Sequence, residues 1–178
     1  MKYIKITETP SNHDNLEQLD TITILSKMND EDQQVASAVA MVIPQITKLV
    51  DALAERFVKG GRLFYIGAGT SCRLGILDAS EIPPTYGLPR ERVVGLIAGG
   101  DIAIRKSVEN AEDDSQQAWK DLQKHDISTK DVVVGIAASG TTPYVLGGIK
   151  AAKENGLLTA GITNNPGSPL PEMADIPI

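Results

Sequence analysis

The 178-residue chain is 42% hydrophobic, only 4% aromatic, and acidic, with a net charge of −6. That length allows one domain with a sizeable core, with or without a helical extension. Lacking a block of Lys and Arg, the chain is a poor partner for nucleic acid, and no stretch approaches the roughly 20 apolar residues of a membrane span.

Met1 to Thr7 carries positive charge, but no apolar segment follows it, so it does not read as a signal peptide. Residues up to about Asp14 are polar, include Pro10, and read as an irregular arm. Asn15–Met28 and Asp30–Val58 have helical patterning, with Asn29-Asp30-Glu31-Asp32 as a break and a new start. Val35, Val39, Val42, Ile43, Ile46, Val50, Leu53 and Phe57 recur at a spacing of three to four, the mark of a packed amphipathic helix. Pro44 falls inside this pattern and predicts a kink or local break. Lys59-Gly60-Gly61-Arg62 ends it.

From Arg62 the rhythm changes. Leu63–Ile66, Val93–Ile97, Val132–Ala137 and Leu158–Ile162 read as strands. Arg73–Ser80, Ile102–Gln123 and Tyr144–Asn155 read as the helices between them. The alternation predicts an α/β fold: a parallel sheet flanked by helices in three layers, preceded by the N-terminal helical segment. Residues 1–58 are assigned to the arm and helical segment, and 59–178 to the sheet domain. Ala174-Asp175-Ile176-Pro177-Ile178 resembles the start of another strand with no helix after it, so the sheet is expected to be incomplete at that end.

The chemistry concentrates where strands run into helices. Gly67-Ala68-Gly69-Thr70-Ser71 closes the first strand, and Ser139-Gly140-Thr141-Thr142-Pro143 closes the third. Small residues let amides approach a ligand, and a helix N-terminus supplies free N–H groups and partial positive charge. Thr163-Asn164-Asn165-Pro166-Gly167-Ser168 is a third polar strand end. Parallel sheets bind ligands at their carboxyl edge, so the three loops together predict a site for a phosphate on a small molecule. The first turn begins Gly-x-Gly, but Cys72 replaces the third glycine of a dinucleotide fingerprint, and no Walker lysine is present. Glu81 is a catalytic carboxylate, a solvated helix end, or a partner for Arg73. Glu109 and Glu112, three apart, would share one helix face. Cys72 is either a reactive thiol of lowered pKa at a helix N-terminus or an occupant of a small-residue site; as the only cysteine it precludes an intrachain disulfide and fits a reducing cytosol. His13 and His125 lack the spacing of a zinc site.

The run from Gly67 through Leu77-Asp78-Ala79-Ser80-Glu81-Ile82-Pro83-Pro84-Thr85-Tyr86-Gly87 closely resembles the signature of N-acetylmuramic acid 6-phosphate etherases. Val94–Gly100, Val108–Asp113, Val132–Tyr144 and Asn165–Ser168 are similar to the same family, which shares the sugar-isomerase (SIS) fold with the glucokinase regulatory protein. The resemblance implies a cytoplasmic homodimer with sites near the subunit interface and no metal or organic cofactor. It implies a lyase that removes the D-lactyl ether from C3 of the sugar phosphate during cell-wall amino-sugar recycling. Such an elimination needs one carboxylate to take the C2 proton and one carboxylic acid to protonate the leaving oxygen. The family's acid matches Glu81 and its base Glu112, with Glu109 the fallback. Gly69, Thr70, Ser71, Ser139, Gly140, Thr141 and Thr142 match its substrate contacts. Position 72 is commonly glycine in the family, so Cys72 is a departure, and the family's sequences continue beyond residue 178. An aldose–ketose isomerase of a sugar phosphate and a noncatalytic sugar-phosphate regulator are the alternatives on the same fold.

Overall fold

The computed structural model describes residues 3–178. Five strands form one parallel sheet: β1 (Leu63–Gly67), β2 (Val93–Ile97), β3 (Val132–Ile136), β4 (Leu158–Ile162) and β5 (Ile176–Pro177), in the order β2-β1-β3-β4-β5. Leu63 stands beside Val93 on one side and Val132 on the other, which fixes the register of the central strands. The last residues do form a strand: β5 pairs with β4 through Ala160 and Gly161.

Among the described residues, six α-helices are distributed around the sheet: α1 (Thr21–Val58), α2 (Gly69–Tyr86), α3 (Ile102–Arg105), α4 (Gln117–Gln123), α5 (Pro143–Glu154) and α6 (Pro169–Met173). On one face, Phe64, Ile66 and Val133 pack with Ala118 and Leu122 of α4, Tyr144, Val145 and Ile149 of α5, and Leu170 of α6. On the other, Val132, Val134 and Ala160 meet Leu49, Leu53 and Phe57 of α1 and Ala79 and Ile82 of α2. This is the expected three-layer α/β architecture. Close packing of α2 depends on Gly95, because a Cβ there would come 2.6 Å from Ile76 Cγ1.

Three expectations about helices are corrected. Residues 21–58 form one uninterrupted helix: Asp20 caps its start by accepting from Thr23 N–H at 3.1 Å, and residues 29–32 lie inside it. The charges at 29–32 are exposed and keep the helical period, so water solvates them without stopping the helix. Pro44 also lies within it, at the cost of one backbone hydrogen bond. Residues 16–18 form only a short 3-10 turn. Ile102–Gln123 is not one helix: between α3 and α4 the chain passes through Asn110 at φ 60° and a 3-10 turn at Ala111–Asp113. The left-handed residue ends the helical path.

None of α1 is buried, and Ile22 and Met41 are 69% and 76% exposed. By length and composition it could cross a membrane, with a window of mean hydropathy 1.4 that the sequence reading did not recognise. Only its last turns reach the sheet.

One buried ion pair ties the start of β1 to the start of β3. Asp131, 1% exposed, accepts from Arg62 N–H at 2.9 Å, Arg62 Nε at 3.1 Å, Arg62 Nη2 at 2.9 Å and Ser128 N–H at 2.8 Å. Burial pushes this carboxyl up, but the Arg62 and Ser128 donors outweigh it and hold it below the usual carboxylate range. A depressed folded pKa contributes stability above the unfolded value near about 3.9 and loses it as pH falls through the folded value. Asp131→Asn is therefore expected to lower stability at pH 7 by about 3 kcal/mol. In denaturant titrations that deficit should shrink as the pH is taken below about 4.

Candidate functional site

The chain leaves β1 through α2 to reach β2 on one side, and leaves β3 through α5 to reach β4 on the other. The boundary between β1 and β3 is thus a topological switch point, where a crevice opens at the carboxyl ends. The turns after Gly67 and Ile136 lie about one strand spacing, ~4.8 Å, apart at their roots. Both helices that follow begin without a side-chain cap: Ala68 precedes α2, and Thr142, whose side chain makes no capping bond, precedes Pro143 of α5. Their first amides are therefore available to an anion. Gly69 (φ 52°) and Thr70 are exposed there and Ser71 is half-buried.

The second turn is held from behind. Ala138 C=O accepts from Asn164 N–H at 3.0 Å and Thr163 Oγ1 at 3.1 Å, Ser139 C=O from Asn165 Nδ2 at 3.1 Å, and Gly140 C=O from Leu170 N–H at 3.1 Å. Gly140, at φ 68°, packs against the hydroxyls of Ser168 and Thr163 and leaves no room for a Cβ. Ser139 Oγ accepts from Thr141 N–H at 3.2 Å and Thr141 Oγ1 at 3.0 Å. Ser139, Thr141 and Thr142 are half-buried at the mouth of the crevice.

Glu109 and Glu112 line one cavity with Gly69, Arg73, Ser107 and Asn110. They do not share a helix face: Glu109 lies in an irregular loop and Glu112 in the 3-10 turn. Glu109 accepts from Ser107 Oγ at 3.0 Å, whereas Glu112 has no hydrogen bond among the described residues. Glu81 is elsewhere. It is exposed on α2, 12 residues after Gly69 and therefore about 18 Å further along the helix, and it does not line this cavity. Leu74 and Leu77, on the same face at seven and four residues' distance, are 61% and 57% exposed. Arg73 does not pair with Glu81; it donates to the carbonyls of Ile104 at 3.0 Å and Ala103 at 2.8 Å. The sequence reading passed over Arg73, Ser107 and Asn110 as lining residues, and the left-handed Asn110 is the signal that could have marked the loop. Asn165 was expected only as one residue of a polar strand end; its side chain is completely buried.

Among known families, the glucokinase regulatory protein N-terminal SIS domain matches residues 45–153. The chain belongs to this SIS-domain family. It is 62% identical over 172 residues to an N-acetylmuramic acid 6-phosphate etherase of Christiangramia forsetii, covering 97% of this chain and 63% of that protein. It is 57% identical over all 178 residues to the etherase of Bacteroides thetaiotaomicron, covering 64% of it. The chain thus spans just under two thirds of the length of these curated relatives. A phosphoheptose isomerase structure from Francisella tularensis superposes with a TM-score of 0.65 over 89% of this chain and 84% of that one, at 20% identity, which shows a common SIS fold.

Cys72 has a clear local role. It lies inside α2, is completely buried with Ile97 and Ala103, and donates its S–H to Leu96 C=O at 3.1 Å. The side chain sits in the core with its Cβ against Gly67, at the root of the turn. Burial pushes the thiol up to about 12, opposite to an activated cysteine, while a bond from the Gly67 backbone lowers it only in part. Iodoacetamide at pH 8 is expected to leave Cys72 unmodified in the native protein and to alkylate it fully in denaturant, as read by intact mass.

Proposed function

We propose that this protein is an N-acetylmuramic acid 6-phosphate etherase acting as a cytoplasmic homodimer. The single observation that carries the reading is 62% identity to an etherase across 97% of the chain. The uncapped starts of α2 and α5 at the switch point support it, as a receptor for the 6-phosphate, with Gly69, Thr70, Ser71, Ser139, Gly140, Thr141 and Thr142 as substrate contacts. We take residues 59–178 as the SIS sugar-phosphate domain and 1–58 as its helical extension.

The reaction is an elimination followed by hydration. Opening of the sugar ring exposes the C1 aldehyde and acidifies the C2 proton. Glu112 takes that proton, an assignment favoured over Glu109 because Glu109 is already bonded to Ser107. The electron pair forms the C2–C3 double bond as the C3–oxygen bond breaks, and Glu81 protonates the departing D-lactate oxygen. Water then adds at C3 and a proton returns to C2, giving N-acetylglucosamine 6-phosphate. These steps ask nothing of a metal or organic cofactor.

Glu81 cannot reach the same sugar as Glu112 within one copy if the phosphate sits at the start of α2. Its exposed apolar neighbours Leu74 and Leu77, and the unburied length of α1, support a second copy that covers them and carries Glu81 into the neighbouring site. We take that copy, not a bilayer, as the partner of α1.

D-lactate release from N-acetylmuramic acid 6-phosphate is the direct test. The parent chain should release lactate and Glu81→Gln should lose at least about a hundredfold. Binding without turnover would favour a regulator, and an isomerised sugar without lactate would favour an isomerase. Mixing Glu81→Gln with Glu112→Gln should restore about a quarter of the parent rate, since half of the random dimers then carry one intact site. A mixture as inactive as its parts would place both groups in one copy.

A further inference from the structure

The N-terminal arm is fastened to the proposed phosphate turn through a single side chain. Asn165 is completely buried and bonds through both ends of its amide: Oδ1 accepts from Thr7 N–H at 3.1 Å, while Nδ2 donates to Thr7 Oγ1 at 2.9 Å and to Ser139 C=O at 3.1 Å. One amide group therefore joins residues 132 positions apart, Thr7 and Ser139, with neither N–H left to donate to a ligand. Thr7 lies in the 3-10 turn Ile6–Glu8, closed by Glu8 N–H to Lys5 C=O at 3.0 Å and by Thr9 Oγ1 to Ile6 C=O at 2.7 Å. Tyr3 lies against Gly167, so the arm covers the same loop at a second point.

Ser139 is the centre of the phosphate turn, since its hydroxyl accepts from both the N–H and the hydroxyl of Thr141. The neighbouring carbonyls of Ala138 and Gly140 are held by backbone amides of Asn164 and Leu170, but that of Ser139 is held by the Asn165 side chain. A side chain can relax its hold when its other partner leaves. Resting on the phosphate reading of this turn, we propose that Asn165 is a positioning residue through which docking of the arm at Thr7 sets the geometry of the Ser139–Thr142 turn for a phosphate monoester. Arm docking and phosphate binding then favour one another, and the coupling acts equally in both directions.

Two substitutions cut the link on either side. Thr7→Pro removes the N–H and the hydroxyl that meet Asn165, and that N–H has no partner inside the 3-10 turn. The arm is largely exposed, so this variant should keep the parent melting temperature within a degree or two, on the order of a surface substitution. Asn165→Asp keeps acceptors for Thr7 but cannot donate to Ser139 C=O. Calorimetry with N-acetylglucosamine 6-phosphate would be paired with trypsin cleavage after Lys5, whose side chain is 52% exposed. The parent should bind, and saturating ligand should slow cleavage after Lys5 about fivefold or more. Thr7→Pro should bind about fivefold or more weakly, with cleavage fast and indifferent to ligand. Asn165→Asp should bind as weakly while its arm stays slow to cleave. If the parent binds and Thr7→Pro or Asn165→Asp matches it within about twofold, the coupling is overturned and the phosphate reading stands. If the parent does not bind the sugar phosphate at all, the phosphate reading falls and the coupling with it.

Discussion

The placement of β1 between β2 and β3 governs the functional geometry. Chains leaving adjacent parallel strands on opposite faces cannot fill the space between their first turns, so a crevice is left at the carboxyl edge. Here both edges of that crevice are helix starts whose amides no side chain caps. The pairing is secured at the far end of the same strands, where Arg62 and Asp131 lock the start of β1 to the start of β3. Misregistry by one residue would turn the core face of β1 to the other side, taking Phe64 and Ile66 out of their packing with α4 and α5.

The proposed phosphate turn also depends on contacts made behind it. Carbonyls 138 to 140 all point into the 163–170 segment, which orients the turn without using its outer hydroxyls. Gly140 is required on two grounds, a positive φ and a wall formed by Ser168 and Thr163. The loop after β4 is therefore a supporting layer for the turn after β3, and it passes support on from the N-terminal arm.

Much of this was legible in the sequence because apolar strands buried on both faces write themselves as continuous runs, as in Val132–Ile136. The turns were legible through glycine and hydroxyl chemistry. What escaped has physical reasons. The exposed charges at Asn29–Asp32 interrupt the apolar pattern without interrupting backbone hydrogen bonding, so a long helix looked like two. The 102–123 segment has helical composition, but left-handed Asn110 and the packing of Ala111 against the core divide it. Asn165 looked like one polar loop residue among several; its burial follows from an arm more than 150 residues earlier folding onto it, a contact no local pattern encodes.

The two carboxylates carry different structural demands. Glu112 stands in a loop next to the helix starts, where its position is set by backbone geometry within one copy. Glu81 stands on the rigid interior of α2, beyond an exposed stripe formed by Leu74 and Leu77. A carboxylate that needed only water around it would not require apolar neighbours on its own face. Under the proposed etherase reading, the stripe is a surface that a second copy covers, limiting bulk water around an elimination whose unsaturated intermediate is hydrated at C3 alone. In that proposed arrangement the crevice and Glu112 come from one chain and Glu81 from the other, which would make assembly a condition of turnover.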